Sequence, residues 1–405
     1  MISYTDELGW IDAQAGEMRA LVTEWANVNS YSHNLSGLDT LASSVKRVFA
    51  GLGGVVEEQS LPPERVVNAI GEVDEIPLGK LMLIRKRSEA PLRVLLGIHM
   101  DTVYPPDHPF QHVKHRNGTL IGPGVTDAKG GLVIMLKALE ALERSPAAAN
   151  IGWDVFINPD EEIGSPGSAP RLAELAEGHA VGLVFEPALP HGRLVSERKG
   201  TGRFSVVIHG RAAHAGRAPG EGRHAINELV RFIASINGLQ DDRDGILVNT
   251  GRVEGGGAVN VVPDLAVGHF AVRVSSAADQ AMVEDSLAGL VRDLNARDGF
   301  AAELHGTFLK PPKILDRATL HLLESLRACG DRLGQSVTWE PSSGASDGNT
   351  LAAAGLPTAD SLGPCGGAIH SADEFMEIKS LTERAKLVAL FLIRLAAGEV
   401  EAPTG

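Results

Sequence analysis

Short apolar runs alternate with stretches of helical periodicity in the first half of the chain. Four of these runs have the length of buried strands, and they lie at 81–87, 94–100, 153–158 and 182–187. Between the second and third runs, apolar residues recur at helical spacing, which predicts a helix over 129–143. Such alternation is typical of an α/β fold, in which helices cover a largely parallel sheet.

The pattern changes near residue 200, where strand and helix signals follow in the order βαββαβ. The predicted strands are 203–210, 246–253, 265–274 and 301–309, and the predicted helices are 223–237 and 279–297. This order is that of a ferredoxin-like domain. We therefore predict an inserted small domain over 200–309, flanked by hinge segments at 196–202 and 309–313.

The pattern of the first region resumes after the second hinge segment. It predicts a helix over 317–333, strands at 337–340 and 356–363, and a closing helix over 380–397. Residues 1–199 and 310–405 are thus expected to form one α/β domain that binds metal and carries out the catalysis. The hinge would let the inserted domain close over the strand ends.

Composition and charge narrow the class of protein. The 405 residues exceed what one hydrophobic core usually serves, which fits two domains. A net charge of -14 argues against nucleic acid or an anionic membrane as the main partner. The N-terminus lacks the pattern of a signal peptide and no run approaches a membrane span, so we expect a cytoplasmic protein. The two cysteines are too few for a disulfide framework.

Acidic residues and histidines follow several of the predicted strands or stand in a Gly-rich loop. They are His99 and Asp101 in GIHMDTV, Asp127 in VTDAKGG, Glu161 and Glu162 in NPDEE, Glu186 in VFEP and His370 in AIHSADE. In open α/β sheets, ligand sites form beyond the carboxyl ends of the strands. Any one of these residues is more often an ordinary surface group, so the prediction of a site depends on the whole set.

Five of these side chains suit a divalent cation: His99, Asp127, Glu162, Glu186 and His370. Mixed carboxylate and imidazole ligands favour zinc, and cobalt or manganese less often. One catalytic zinc takes only three protein ligands, so this set indicates two metals about 3.5 to 4 Å apart that share a carboxylate. We predict Asp127 as the bridge, with His99 and Glu186 on one metal and Glu162 and His370 on the other.

Glu161 directly precedes Glu162, and neighbouring residues of an extended segment point in different directions. Glu162 can therefore bind metal while Glu161 takes up and returns a proton as general base and acid. Asp101, two residues after His99, is predicted to orient that imidazole. In isolation, the acid pair would be interpreted as a solvated turn and Asp101 as a cap or turn residue.

Seven motifs, taken together, resemble a known enzyme family in order and spacing over nearly the whole chain. They are HMDTV, GPGVTDAKGG, NPDEEIGSPGS, VFEP, GRAAHAG, NVVP and GGAIHSADE. The chain is similar to the co-catalytic dizinc family of glutamate carboxypeptidase, acetylornithine deacetylase and succinyl-diaminopimelate desuccinylase. This resemblance implies the same five metal ligands, Glu161 as the general acid and base, and a small domain that serves as lid and dimerisation domain.

The resemblance also implies roles for residues of the inserted domain. His214 in GRAAHAG would stabilise the oxyanion in the active site of the partner subunit, so a homodimer formed through the inserted domain is expected. Asn260 and Arg273 would bind the carbonyl and carboxylate regions of the substrate. The strand alternation around Arg273 makes it project away from the core, and its guanidinium suits a carboxylate.

One loop and one lysine complete the predicted substrate contacts. Gly344, Ala345 and Ser346 match the Gly-rich substrate loop of the family, although an ordinary turn that enters a helix at Asp347 is the alternative. Lys310, at the second hinge segment, would add positive charge near an acidic group of the substrate.

We therefore expect a dimetal hydrolase that cleaves an amide or peptide bond to an amino acid with a free carboxylate, similar to glutamate carboxypeptidase. A small peptide or an N-acyl amino acid is the expected substrate. Two alternatives stay open: an N-acyl amino acid deacylase similar to acetylornithine deacetylase, and a non-catalytic binding protein on the same fold.

Overall fold

The computed structural model describes residues 4–242 and 244–403, which divide into two compact units. The first unit consists of Met1–Pro63, Pro77–Arg198 and Lys313–Gly405, and the second of Glu64–Ile76 and Lys199–Pro312. Both units combine helices with β-sheets, so the predicted α/β fold class is confirmed. The functional roles of the two units stay predictions.

The helices and strands of the described chain have the following bounds. The helices are α1 (Thr5–Ala13), α2 (Ala15–Ala26), α3 (Leu35–Phe49), α4 (Gly130–Arg144), α5 (Ala169–Ala176), α6 (Ala225–Asp242), α7 (Ala277–Asn295), α8 (Arg317–Leu333), α9 (Asp347–Ala353) and α10 (Ile378–Ala396). The strands are β1 (Val55–Ser60), β2 (Glu64–Val67), β3 (Val73–Ile76), β4 (Lys80–Lys86), β5 (Arg93–His99), β6 (Lys114–Arg116), β7 (Thr119–Ile121), β8 (Gly152–Asn158), β9 (Val181–Val184), β10 (Leu194–Arg198), β11 (Gly200–His209), β12 (Ile246–Gly255), β13 (Leu265–Val274), β14 (Ala301–Lys310), β15 (Trp339–Ser342), β16 (Thr358–Ala359), β17 (Gly366–Gly367) and β18 (Phe375–Glu377).

The main sheet of the first unit has six strands in the order β1-β4-β8-β5-β9-β16. Strands β8, β5, β9 and β16 run parallel, whereas β1 and β4 pair antiparallel. Every residue of β8 is buried, as expected for a strand whose sheet is covered on both faces. The carboxyl ends of the parallel strands therefore lie at one edge of the sheet.

The second unit has the βαββαβ order, and its four strands form an antiparallel sheet in the order β12-β13-β11-β14. Helices α6 and α7 cover one face, where Leu229 and Val283 pack in the same core as Phe204 and Phe270. This core follows from the alternation of apolar residues along β11 and β13. The other face of the sheet carries a separate, smaller apolar cluster.

That smaller cluster includes a hairpin that the sequence did not predict. Strands β2 and β3 pair with each other, and Val67 and Val73 pack there against Val207 and Val267. The predicted domain of residues 1–199 includes the residues of this hairpin, whereas they belong to the second unit. The valines of the hairpin pack against residues of a sheet that lies more than a hundred residues further along the chain. Local periodicity does not encode such distant contacts.

The predicted strand at 356–363 is shorter than expected. Only β16, Thr358–Ala359, pairs with β9, because the next side chain, Asp360, binds Arg198 and Ser361 has a left-handed backbone with φ of 64°. None of the described helices is both long and apolar enough to cross a lipid bilayer.

Candidate metal centre

Three neighbouring parallel strands bring acids and a histidine to one edge of the main sheet. Strand β5 ends at His99, Glu161 and Glu162 follow the end of β8, and Glu186 follows the end of β9. Because these strands are adjacent and parallel, residues that are distant in sequence converge here. The predicted position of the site at the carboxyl edge agrees with this arrangement.

Asp127 lies in an irregular turn, Val125–Lys129, that leads into α4. The Asp127–Ala128 peptide bond is cis. The buried carboxylate of Glu374 accepts hydrogen bonds from the backbone N–H groups of Gly124 (3.0 Å), Thr126 (2.9 Å) and Asp127 (3.0 Å). Glu374 therefore fixes the turn that presents the Asp127 carboxylate.

The two oxygens of Asp127 face different partners. Its Oδ1 lies 3.0 Å from Nε2 of His99, and the same nitrogen lies 3.9 Å from Oε1 of Glu186. Its Oδ2 lies 3.4 Å from Nε2 of His370, which in turn lies 3.1 Å from Oε2 of Glu162. The structure thus brings all five predicted ligands together, as two groups joined by Asp127.

Burial gives this cluster unusual electrostatics. Burial and the nearby charge of Asp127 raise the pKa of Glu162 to about 7. Burial raises the pKa of Glu186 well above its ordinary value. Burial also opposes ionisation of Asp127, but hydrogen bonds from His370 and His99 lower its pKa. Hydrogen bonds to Asp127 and Glu162 raise the pKa of His370 to about 11.

The donor set fits divalent cations. Ligand atoms of His99, Asp127 and Glu162 lie within 4.8 Å of one another, close enough to share one ion. Carboxylates that repel each other in a buried site are stabilised by a cation among them. Both cysteines lie elsewhere, so the donors are oxygen and imidazole nitrogen, the chemistry of zinc, cobalt and manganese sites.

Asp101 is fully buried and holds two parts of the site. Its Oδ1 lies 3.3 Å from Nδ1 of His99, the imidazole that it is predicted to orient. Its two oxygens also accept hydrogen bonds from the backbone N–H groups of Glu161 and Glu162, each at 3.1 Å. Ser32 donates a further hydrogen bond of 2.6 Å. Asp101 therefore positions the acid pair as well as the imidazole.

Glu161 lies beside the cluster without being part of the two groups of predicted ligands. After the larger effect of burial, its negative charge contributes to the raised pKa of both Glu162 and Glu186. Its side chain is half-buried. A carboxylate close to the ligands, with some access to solvent, suits proton transfer.

The predicted substrate loop is anchored by a buried ion pair. Arg198 donates hydrogen bonds to Asp360 at 2.6 and 3.0 Å and to the carbonyl oxygen of Gly344 at 3.0 Å. Ser346 caps α9 and donates to Asp360 at 2.6 Å. Ala345 lies between these two anchored residues, so the loop is held at both ends.

Four predicted residues lie in the second unit. His214 is exposed, and its Nδ1 accepts hydrogen bonds from the backbone N–H groups of Gly216 and Arg217. Asn260 is also exposed, on a segment that pairs with the His214 segment through a bond from the Ala215 N–H to the Asn260 carbonyl.

Arg273 and Lys310 differ in their exposure. Arg273 is exposed between the buried Val272 and Val274, as strand alternation predicts. Lys310 is buried, with 2% of its surface exposed, at the end of β14. The substrate roles of all four residues stay predictions.

Sequence reasoning missed the side chains that support the cluster. Glu374 is the last residue of the motif GGAIHSADE. Its position four residues after His370 was the sequence signal that could have identified it. Lys129 is buried, and its Nζ donates to Ser30 Oγ (2.7 Å) and to the Met100 carbonyl (3.0 Å). Burial lowers the pKa of Lys129 to about 8. A lysine within the Gly-rich TDAKGG was the corresponding signal.

Comparison with known proteins places the chain in a family. The sequence model of peptidase family M20/M25/M40 matches residues 95–394. The match covers well over half of the chain, so the chain belongs to this family, and the predicted resemblance is confirmed.

Relatives and solved structures agree with this assignment. Carboxypeptidase G2 of Pseudomonas sp. (strain RS-16) is 28% identical over 324 residues, which cover 76% of this chain and 74% of that protein. Succinyl-diaminopimelate desuccinylase of Hahella chejuensis is 25% identical over 352 residues, covering 81% and 89%. A dinuclear metal binding peptidase of the M20 family from Bacillus subtilis has the same fold, with a TM-score of 0.66 and 17% identity over 96% of this chain and all of that chain.

The family and the candidate metal centre together define the class of protein. The chain is a metal-dependent hydrolase of the peptidase and amidohydrolase class. This confirms the prediction of an enzyme over the alternative of a non-catalytic binding protein.

Proposed function

We propose that this protein hydrolyses an amide or peptide bond whose amine part is an amino acid with a free carboxylate. The similarity to carboxypeptidase G2 supports this choice of substrate class. The five predicted ligands would hold two divalent cations, zinc first, with cobalt and manganese as further candidates.

The arrangement around Asp127 carries the proposal. One of its oxygens faces His99 and Glu186, and the other faces His370 and Glu162. A carboxylate with a separate donor group at each oxygen is what a bridge between two cations needs. The Bacillus subtilis peptidase of the same fold is described as a dinuclear metal binding peptidase, which agrees with two proposed cations.

Each residue of the site would have a distinct task. When bound, the metal ions supply the Lewis acidity that activates water and polarises the carbonyl of the substrate. Glu161 takes a proton from the attacking water and delivers it to the departing nitrogen. Asp101 keeps Glu161 in position by accepting a hydrogen bond from the backbone N–H of Glu161.

Residues beyond the cluster would bind the substrate. We propose that Arg273 pairs with the substrate carboxylate, Asn260 contacts the carbonyl region, and Lys310 adds positive charge. His214 would stabilise the oxyanion in the partner subunit of a cytoplasmic homodimer. The anchored loop of Gly344, Ala345 and Ser346 would border the substrate. Light scattering tests the dimer, because a strictly monomeric active enzyme would remove the role of His214.

A deacylase that acts on N-acyl amino acids is the second candidate. The desuccinylase of Hahella chejuensis is similar over 81% of this chain, which favours this option. A panel of N-acyl amino acids, dipeptides and N-blocked glutamates, tested with zinc-loaded and cobalt-loaded protein, distinguishes the two. The ranking of kcat/KM between peptides and acylated amino acids decides which part of the substrate is recognised.

Replacement of Glu161 by Gln tests the proton-transfer role. We expect kcat to fall about a thousandfold or more, because the amide neither accepts nor returns the proton. The metal content, measured by elemental analysis, should stay unchanged, since Glu161 is not one of the five proposed ligands. Glu177→Gln, an exposed change of the same kind in the first unit, is the matched control. Near-normal turnover of the Glu161 variant would refute the role.

A further inference from the structure

A pocket of about 340 Å³ lies within the second unit, between the hairpin of β2 and β3 and the four-stranded sheet. It lies outside the candidate metal centre, and none of the predicted site residues lines it. A volume of this size is at the lower end of small-molecule sites. The pocket is therefore large enough for a ligand of its own.

The charges around this pocket favour an anion. Three arginines, Arg65, Arg203 and Arg252, line it together with His269 and His305. The nearby carboxylates are Glu64, which lines the pocket, and Glu254, which pairs with Arg252 and His269. The chain as a whole carries a net charge of -14, so a locally basic lining differs from the rest of the molecule. Guanidinium groups match carboxylate and phosphate oxygens in a fork geometry.

A chain of polar contacts fixes the floor of the pocket. The hydroxyl of Ser205 lies 2.8 Å from Nδ1 of His269, and Nε2 of the same ring lies 3.1 Å from Oε2 of Glu254. Glu254 also pairs with Arg252. The imidazole is thereby held in one orientation, with the serine hydroxyl among the lining groups.

These contacts suit binding better than catalysis. A serine nucleophile needs nearby free N–H groups to stabilise an oxyanion. Ser205 lies on β11, an inner strand that pairs with β13 on one side and β14 on the other. The backbone N–H groups of an inner strand are used in its two ladders. The hydroxyl of Ser205 is therefore placed to contact a ligand rather than to attack one.

The lining also offers apolar contact and a buried polar atom. Val66 and Ala271 line the pocket beside the charged groups, and 36% of the Val66 surface is exposed. Nε2 of His305 is buried with no hydrogen-bond partner among the described residues, and lies 3.4 Å from Oε2 of Glu303. An apolar body with one anionic group fits this combination better than a bare inorganic ion.

We propose that the pocket beneath the hairpin of β2 and β3 binds a small organic carboxylate. Arg65 and Ser205 hold the carboxylate group, and Val66 and Ala271 contact the apolar body. Benzoate is a suitable probe, because it combines one carboxylate with a compact apolar ring.

Calorimetric titration of the full-length protein tests the proposal. Benzoate should bind, whereas benzyl alcohol, which has the same ring without the charge, should not bind, and inorganic phosphate should bind more weakly than benzoate. Arg65→Gln and Ser205→Ala should each weaken benzoate binding about tenfold or more, the usual effect of losing a hydrogen bond to a charged group. Arg292→Gln, the same loss of charge at an exposed position of α7, should leave the affinity unchanged.

Three results would overturn the proposal. The first is equal affinity for benzyl alcohol and benzoate, or tighter binding of phosphate. The second is benzoate binding that disappears with a metal chelator, because this would place the ligand at the candidate metal centre. The third is unchanged benzoate affinity in both pocket variants. As a control for folding, the unfolding temperatures of both variants should equal that of the wild type.

Discussion

Acids lie near both ends of the parallel strands of the six-stranded sheet, here called its two edges, but in opposite electrostatic settings. At the edge where the parallel strands begin, Glu143 accepts hydrogen bonds from Arg87 (2.5 and 3.0 Å), Lys86 (2.5 Å) and Trp153 (2.9 Å). Burial opposes its charge, yet the bonds from Arg87 and Lys86 lower its pKa to about 2. At the edge where the strands end, burial raises the pKa of Glu162 to about 7.

A second acid at the first edge behaves in the same way as Glu143. Asp154 lies 2.7 Å from Nη2 of Arg93 and 3.4 Å from Nε of Arg85. Burial opposes its ionisation, but the nearby imidazole of His179 and the hydrogen bond from Arg93 lower its pKa. The edge with Glu143 and Asp154 thus carries its own cations. The edge with Glu162 and Glu186 holds more negative charge than its two imidazoles balance, which is the setting of a cation site.

Removal of metal should produce the largest difference between the two edges. We expect a chelator to abolish turnover, because the proposed Lewis acid is lost, and zinc, cobalt or manganese to restore it. The unfolding temperature should also fall, since a ligand that binds only the folded state stabilises it. Assays and elemental analysis before and after dialysis check this, with about two ions per chain expected. Full activity of metal-free protein would contradict the whole scheme.

Glu374→Gln should have an intermediate effect, confined to the metal-binding edge. The amide keeps one acceptor oxygen for three backbone N–H groups, so the turn that carries Asp127 loses part of its support. We expect metal affinity to fall about 10- to 100-fold, the usual effect of losing a group that orients a ligand. Competition with a fluorescent chelator measures this loss.

The neighbouring Asp373 provides the control for this experiment. Its side chain is exposed, so Asp373→Asn removes the same charge without removing the support of the turn. Saturating metal should restore most of kcat in the Glu374 variant, because Glu374 acts through Asp127 and not on the substrate. A loss of kcat that added metal does not reverse would argue for a different role.

Glu143→Gln should affect stability rather than activity. The change leaves Arg87 and Lys86 without their carboxylate, and we expect a loss of about 2 kcal/mol near neutral pH, discounted for partial exposure of the group. Denaturant unfolding measures it, and Glu89→Gln, an exposed change in the same unit, is the control. Reduced metal content in the Glu143 variant would show that the two edges are not independent.

The pH dependence of this loss has a defined sign. The pKa of Glu143 is lower in the folded state, about 2, than its ordinary value of 4.5. Its contribution to stability is therefore fully present above about pH 4.5 and disappears as the pH falls toward 2. The difference in unfolding free energy between wild type and Glu143→Gln should shrink as the pH falls over that window. A difference in unfolding free energy that stayed constant in acid would mean that the charge of Glu143 does not stabilise the fold.

Strong periodicity made much of the fold predictable. The helix over 317–333 was predicted with the bounds of α8, and the strand at 265–274 with those of β13. Weak patterns gave poorer predictions. The strand predicted at 356–363 has only two residues in the structure, and the hairpin of β2 and β3 was not predicted. In both cases, distant partners decide the outcome, Arg198 for the first and Val207 for the second.

The site shows the same division between motif and context. The residues at strand ends were identified from sequence, because a strand end in an α/β sheet is a known location of ligand sites. Glu374 and Ser32 were missed, since their importance comes from hydrogen bonds to Asp127 and Asp101 across long sequence distances. The burial of Lys310 was not expected from the sequence, and its substrate role stays a prediction.

The amino-acid sequence alone determined the fold class, the family and the set of acids and histidines. These follow from local periodicity and from motifs whose spacing the chain carries in one dimension. Only the tertiary structure decided which oxygen of Asp127 faces which histidine, which acids have cations beside them, and where the hairpin of β2 and β3 packs. The reason is physical: hydrogen bonds, burial and charge act between residues that become neighbours only when the chain has folded.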